Sequence, residues 1–307
     1  MCLPILHALL QQRARIVVCA RPWAKNLLSA YAPQLEGIVV MEGKTVADAT
    51  RVRQFRQQHS HSTAYGLILP DSLSSALVFK LAGLRSAGYR DEGRAILLKW
   101  PEKKPETPMH AVEFWYYLAH RACQQWQISL PEQPSTTLAL QLRPEAEALC
   151  LQKMRESGLE SGRFVLLAPT AKGIHKGQIK TWASYEQLYA ALEPLGLPII
   201  MCPPASEVDA AHQQAPTIPI LPALPLDSFA ALCQHAALVV CNDSGVSHLA
   251  AAVGAQQLSL FGVTSPSRTG PWSPVAHSLG EQGKWPTLEE VVQASQALLN
   301  AHEKVVV

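Results

Sequence analysis

The sequence predicts an α/β protein of two lobes, each a parallel sheet flanked by helices, and three observations carry that prediction. Short β-branched runs alternate with amphipathic segments along the chain, which is the pattern of strand-helix-strand units. The 307 residues, 48% of them hydrophobic, suffice for two ordinary domains with two packed cores. In the middle, the Pro- and Thr-containing stretch SLPEQPSTT runs on toward the Glu-rich segment RPEAEALCLQKMRESGLESG. The junction is placed there, near residue 155, giving lobes 1–155 and 156–307 that face a cleft at the carboxyl ends of both sheets.

In the first lobe RIVVCA (Arg15 to Ala20), GIVVM (Gly37 to Met41) and YGLIL (Tyr65 to Leu69) read as strands. DSLSSALVFKL, Asp71 to Leu81, reads as a helix with Asp71 as N-cap and a close at Gly83. WPEKKPETP, Trp100 to Pro108, holds two charged clusters and three prolines, so a surface loop is expected. A long helix follows in HAVEFWYYLAHRACQQW. The second lobe has near-continuous apolar runs, as strands covered on both faces require: RFVLLAP (Arg163 to Pro169), LPIIMC (Leu197 to Cys202), IPIL (Ile218 to Leu221), ALVVC (Ala237 to Cys241) and QLSLFG (Gln257 to Gly262). Helices are expected at about 182–194, 206–214, 226–235 and 246–254. A last helix, about 287–302, is a candidate to pack back on the first lobe.

Bulk properties exclude several classes. With 26 Lys+Arg against 24 Asp+Glu the formal charge is +2, so no field that gathers nucleic acid is implied and an anionic ligand must be met locally. The seven cysteines include no C-x-x-C pair and no His at zinc-ligand spacing, which supports neither a metal site nor a disulfide framework. Most sit in apolar runs and read as core thiols. No apolar stretch approaches the roughly 20 residues that cross a bilayer, and MCLPILHALLQQR lacks the features of a signal peptide. The reducing cytoplasm is the default expectation.

The most informative stretch is VCNDSGVSHLAAAVGAQQLSL, Val240 to Leu260. A buried strand ends in Asn242-Asp243-Ser244-Gly245 and a small-residue helix begins. Gly245 permits a tight turn, and the amides of Gly245, Val246 and their successors lie at the positive end of a helix dipole, which suits a phosphate. Ser244, Ser247 and His248 can add side-chain donors, while Asp243 can cap the helix or orient His248. Alternatively, Asp243 and Ser244 are caps and nothing more. A second motif, FGVTSPSRTGPW from Phe261 to Trp272, leaves the next strand as a Gly- and Pro-rich loop bearing Thr264 and Arg268. Such a loop lets backbone approach a ligand, and it serves equally as a rigid connection.

Together these segments resemble the ADP-heptose lipopolysaccharide heptosyltransferases, glycosyltransferase family 9. The family pattern is a strand followed by Asp-Ser/Thr-Gly-x-x-His-Leu-Ala-x-Ala and then, after the next strand, Phe-Gly-x-Thr-x-Pro. Asp243, Ser244, Gly245, His248, Leu249, Ala250 and Ala252 match, as do Phe261, Gly262, Thr264 and Pro266. LAPTAKGIHKGQIKTW, Leu167 to Trp182, is similar to the family's first C-terminal strand and its Thr- and Lys-bearing loop. The resemblance implies a GT-B type fold of two Rossmann-like lobes, with Thr170, Lys172 and Lys180 beside the donor's phosphates and Glu207 against its ribose. Lys172, Lys176 and Lys180 also read as a solvated basic loop, and Glu207 as an acid favoured at a helix start. ARPWAKNLLSA, the Asp-Ser-Leu-Ser-Ser-Ala helix and AGYRDEGRAILL look like acceptor-lobe elements, with Tyr89 and Arg90 after a strand and Arg94 before the next run.

The implied activity is inverting, metal-independent transfer of heptose from an ADP-heptose donor to the lipopolysaccharide inner core or a lipid A precursor. No cofactor is expected beside the ADP-sugar substrate, and peripheral contact with the inner membrane is compatible with it. No Asp-x-Asp is present to hold a divalent ion, so Lys172 is expected to stabilise the leaving group. Another sugar nucleotide on the same scaffold, and a non-catalytic nucleotide-binding protein, are the competing readings. Family members open with a strand and a Gly-Asp turn before the helix that MCLPILHALL matches, and that aspartate is their proposed base. No residue of this sequence takes its position, so the general base is unassigned. Without that strand two rows of backbone groups in the first sheet lack partners, so either the start lies upstream, which is the favoured expectation, or the first sheet closes up differently and the protein is impaired.

Overall fold

The computed structural model describes residues 1–59, 63–171, 174–175 and 177–306. The chain forms two compact units, Cys2–Ser135 and Thr136–Val307. The sequence placed the junction near residue 155. The division lies earlier because the helix Pro144–Glu156 packs on the helix Leu226–His235, with Arg143 Nη2 2.6 Å from Asp227 Oδ2 and His235 Nε2 2.5 Å from Glu147 Oε1. Those contacts tie the helix to the second unit.

The first unit contains, in order, α1 (Leu3–Gln11), β1 (Val17–Ala20), α2 (Trp23–Leu27), β2 (Gly37–Val40), α3 (Thr45–Gln58), β3 (Tyr65–Ile68), α4 (Leu73–Leu81), β4 (Arg85–Tyr89), β5 (Trp100–Glu102) and α5 (Ala111–Gln125). β1 and β2 form one parallel pair, and β3, β4 and β5 a separate parallel sheet. Helices on two faces hold these sheets in one layer. On one face Val39, Ala49, Val52, Val78 and Ala82 of β2, α3 and α4 share a core with Val17 and Cys19. On the other, Ile5 and Ala8 of α1 meet Tyr116, Ala119 and Cys123 of α5, with Leu67 and Leu69 beneath.

The strand order follows from handedness. The connections β2-α3-β3 and β3-α4-β4 lie on the same face, so right-handed crossovers advance both in one direction. The β1–β2 connection lies on the α1 face, where its 3-10 turn Ser29–Gln34 holds Tyr31, hydrogen-bonded through its hydroxyl to His7 Nε2 at 2.8 Å. It therefore advances the opposite way. The order is β2-β1, then β3-β4-β5, with free edges of β1 and β3 turned toward each other and no ladder between them among the described residues. These are the two unpartnered rows that the sequence led us to expect.

Three local readings are corrected. Asp71 does not cap α4: Ser72 does, its Oγ accepting from the Ser75 amide at 3.3 Å. Asp71 instead pairs with Lys104 at 3.1 Å. The Pro-rich run expected as a loop begins with β5, which pairs with β4 and tolerates Pro101 because it is an edge strand. IPIL contributes only a bridge, Met201 to Ile220.

The second unit contains α6 (Pro144–Glu156), β6 (Val165–Ala168), the antiparallel pair β7 (Ile174–His175) and β8 (Gln178–Ile179), α7 (Tyr185–Leu192), β9 (Ile199–Ile200), α8 (Val208–Gln214), α9 (Leu226–His235), β10 (Leu238–Asn242), α10 (Gly245–Ala252), β11 (Gln257–Leu260), α11 (Pro266–Thr269), β12 (Ala276–Leu279) and α12 (Leu288–Val306). Its five-stranded sheet has the order β12-β11-β10-β6-β9, parallel throughout. β6, β10 and β11 are buried along their whole length apart from Ala168, as the apolar runs required. α7 and α12 cover one face through Leu188, Leu192, Val291 and Leu299. Among the described residues no helix is long and apolar enough to cross a membrane.

The split in the first sheet has a measurable consequence. Backbone amides on the free edges of β1 and β3 open without breaking a ladder, so they exchange with solvent deuterium at least about a hundredfold faster than those of β10, which is paired on both sides. Equal protection of β1, β3 and β10 in a fragment-resolved exchange experiment contradicts free edges on β1 and β3.

Candidate functional site

In the second unit the chain order β6, β9, β10 becomes the spatial order β9-β6-β10, so the winding reverses between β6 and β10. Loops leaving those two strands diverge there, and open α/β sheets bind ligands in the resulting crevice at the carboxyl end. Asn242, fully buried at the end of β10, braces it. Its Nδ2 donates to the Pro169 carbonyl at 2.8 Å, and its Oδ1 accepts from the Trp182 amide at 2.9 Å. Trp182 is itself fixed by its Nε1, which donates to the Pro286 carbonyl at 2.9 Å. One side chain thus joins the exit of β6 to the start of the segment leading into α7. The sequence reading assigned Asn242 no role, although an amide ending an otherwise apolar strand was the available signal.

Asp243 follows and is also buried. Lys180 Nζ lies 2.6 Å from Asp243 Oδ2, and the Thr264 hydroxyl donates to the same oxygen. The structure therefore brings Lys180, Asp243 and Thr264 together from three different loops. Asp243 does not cap α10, and its Oδ2 is engaged by Lys180 and Thr264. The cap is Ser244, whose Oγ accepts from the Val246 amide at 3.2 Å, leaving its own O–H free to donate elsewhere. Ser247 is committed inward, its Oγ donating to the Ser244 carbonyl at 2.9 Å. His248 lies half-buried one turn along α10.

At Gly245 no atom outside its own turn stands within 4 Å of where a Cβ would be. Space is open beside Gly245 at the start of α10, whose first-turn amides other than that of Val246 lack intrahelical partners. The Phe261-Gly262 step has a packing cause: a Cβ on Gly262 would fall 2.0 Å from the Trp285 ring. Cys241, behind the site, is inert, because burial pushes its thiol up to about 12.

Beside this turn a cavity of about 160 Å³ is lined by Thr170, Ala171, Thr181, Ser206, Glu207 and Ala210. Thr170 donates to Glu207 Oε2 at 2.5 Å, which joins the β6 exit loop to the start of α8. Of the remaining assignments, Lys172 and Lys176 lie outside the described residues. Lys180 is not a freely solvated loop lysine, since its side chain is largely covered and ion-paired.

The second unit is thus a doubly wound nucleotide-binding type of α/β unit, with a polar knot and an open helix N-terminus at its switch point. Residues 52–297 match the model of glycosyltransferase family 9 (heptosyltransferase), and the chain belongs to that family. It is a glycosyltransferase with the parallel-sheet α/β fold of the GT-B heptosyltransferase structures. It is 26% identical to lipooligosaccharide heptosyltransferase 2 of Haemophilus influenzae over 292 residues, covering 87% of this chain and 82% of the relative. It is similar to the structure of Escherichia coli ADP-heptose LPS heptosyltransferase II, at 25% identity and TM-score 0.72, covering 98% and 96% of the two chains. The fold is shared with a family 9 glycosyltransferase from Veillonella parvula at 12% identity and TM-score 0.77, covering 97% and 93%.

The Lys180–Asp243 pair yields a stability prediction. Removing one partner of a buried pair leaves the other charge uncompensated, at a cost of about 3–5 kcal/mol. Lys180→Met is expected to lower the denaturation midpoint markedly, and Lys180→Met/Asp243→Asn to recover part of that loss. A double variant less stable than either single one contradicts the coupling.

Proposed function

We propose that this chain transfers a heptose from an ADP-linked donor to the inner core of lipopolysaccharide, with inversion at the anomeric carbon, no metal ion and no cofactor besides the donor. The observation that carries the reading is the three-loop knot of Lys180, Asp243 and Thr264 beside the open N-terminus of α10. There the donor's diphosphate would meet the amides at Gly245 and Ser247, the Ser244 hydroxyl and the free N–H donors of Lys180, while the Val246 amide serves the Ser244 cap. The ribose would lie against Glu207 and Thr170 in the adjoining cavity, and His248 would face the phosphates from the same helix.

In the reaction the acceptor oxygen bonds to the anomeric carbon as the bond from that carbon to the diphosphate breaks, and ADP departs. The acceptor's proton leaves to a base, a function that no named residue fills. Charge accumulates on the departing diphosphate, so donors at α10 and the lysines act most strongly in the transition state. Lys172 is proposed to join them. The acceptor is amphiphilic, and a peripheral contact with the cytoplasmic face of the inner membrane belongs to this reading.

The test is incubation with ADP-heptose and a heptose-accepting core saccharide, with product read by mass and ADP release read enzymatically. One added heptose per acceptor with ADP as the nucleotide product is expected, and UDP- and GDP-sugars should give little. His248→Ala and Lys172→Ala are expected to lower kcat/KM at least about tenfold with little change in melting temperature. Turnover of a UDP- or GDP-sugar in preference to ADP-heptose overturns the reading.

A further inference from the structure

We propose that Ser161 is a nucleophile, activated by His235 and aligned by Glu147, that takes up an acyl group from an activated acyl donor, a thioester or an aryl ester. The three side chains come from α6, the close of α9 and the loop before β6, at the amino end of the second unit's sheet. The candidate nucleotide site lies at the carboxyl end of the same sheet. Glycosyl transfer there makes no use of this cluster.

The hydrogen bonds fix which group donates. His235 Nε2 lies 2.5 Å from Glu147 Oε1, and His235 Nδ1 lies 2.8 Å from Ser161 Oγ. An ionised carboxylate accepts and cannot donate, so in the neutral imidazole Nε2 carries the hydrogen. Nδ1 is then the acceptor and the Ser161 hydroxyl the donor. A serine whose proton points at an imidazole lone pair, with that imidazole held by a carboxylate, has the relation of nucleophile, base and orienting group that acyl transfer uses on unrelated folds. Either ring nitrogen serves as the base once the other holds the hydrogen.

The backbone holds this arrangement in place. His235 is the last residue of α9, and its carbonyl accepts from the Gly162 amide at 2.8 Å, so the residue after the serine is tied to the residue bearing the base. Gly162 has φ +72°, and a Cβ there would stand 3.2 Å from His302 Nε2, so glycine is required at this turn. The Arg163 amide donates to the Glu160 carbonyl at 3.1 Å and closes the turn. Glu147 stands in the first turn of α6, which packs on α9. The side chains of Glu147 and His235 are 35% and 19% exposed, whereas Ser161 is exposed. The base is thus sheltered and the nucleophile open to a donor arriving from solvent. A tie between α6 and α9 needs only Glu147 and His235; an exposed hydroxyl on the second nitrogen adds little to it, because water would satisfy both groups.

In the step, Ser161 Oγ bonds to the carbonyl carbon of the donor as its proton passes to His235 Nδ1. The bond from that carbon to the leaving sulfur or phenolic oxygen breaks, and the proton moves from Nδ1 to the departing group. Ser161 is left as its ester, and a thiol or phenol is released. A positioned base contributes about 10²–10⁴-fold, enough for an acyl group already activated and too little for an amide.

This inference is independent of the proposed function, and its test needs no sugar. The full chain is incubated with p-nitrophenyl acetate, and acetylated peptides are mapped by mass spectrometry over time. Ser161 is expected to be acetylated at least about a hundredfold faster than Ser74, which is also exposed and whose hydroxyl donates to Ser72 Oγ. Ser161→Ala removes the fast-labelled site with no change in melting temperature, and His235→Gln brings the Ser161 rate down to that of Ser74. Glu147 is a positioning residue, so the imidazole itself reports on it. At about pH 8, where an ordinary imidazole is neutral, the ring-nitrogen resonances of isotope-labelled protein are expected to show His235 in its Nε2–H form. Glu147→Gln should lose that preference together with at least about tenfold in the Ser161 rate, and Glu147→Asp should restore part of both.

Acetylation of Ser161 no faster than that of Ser74 overturns the proposal, as does an Nδ1–H form of His235 in the unsubstituted chain. An unchanged Ser161 rate in a folded His235→Gln variant overturns it too. Should that variant melt early, the two comparisons within the unsubstituted chain decide the matter alone.

Discussion

The second unit depends on satisfying two buried polar side chains at the end of one strand. β10 runs through the middle of a sheet covered on both faces, and its last residue and the one after it, Asn242 and Asp243, remain out of solvent. Such groups are tolerated only when their hydrogen-bonding capacity is filled. Asn242 takes partners from the β6 exit and the segment before α7. Asp243 takes them from the loop before α7 and the loop after β11. Loops with little regular structure of their own are thereby held in fixed positions around the α10 N-terminus, a precondition for recognising a diphosphate through backbone amides.

The first unit is built on a different constraint. Parallel strands lie in two groups whose facing edges are not paired, and helices on both faces supply the cohesion that a continuous ladder otherwise gives. Buried Arg94 reinforces the carboxyl end, its guanidinium donating to the carbonyls of Pro70 and Tyr89. With loops stiffened in this way, exposed side chains on them keep defined positions.

Much of this was legible in the sequence because parallel strands buried on both faces leave unbroken apolar runs. RFVLLAP, ALVVC and QLSLFG each contain a strand of the second sheet. The turn Asp243-Ser244-Gly245 was also legible, since strand, cap and glycine come in sequence. What was not legible depended on tertiary partners. Ser72 and not Asp71 caps α4 because Asp71 is drawn to Lys104, a residue far along the chain. β5 is a strand despite its proline because only one of its edges is paired. The division near 135 follows from α6 packing on α9, which local composition does not encode. The link from Lys180 and Thr264 to one Asp243 oxygen joins segments that are remote in sequence, so no spacing announces it.

The central claim is that a nucleotide diphosphate occupies the N-terminus of α10 beside this polar knot. The most direct measurement is a titration of the isotope-labelled protein with ADP, followed through its backbone amide resonances by NMR. The account predicts saturable shifts largest at Gly245, Val246 and Ser247, with smaller ones at Thr170 and Glu207. Saturable binding that leaves the α10 amides unmoved, with its shifts gathered elsewhere, would contradict it.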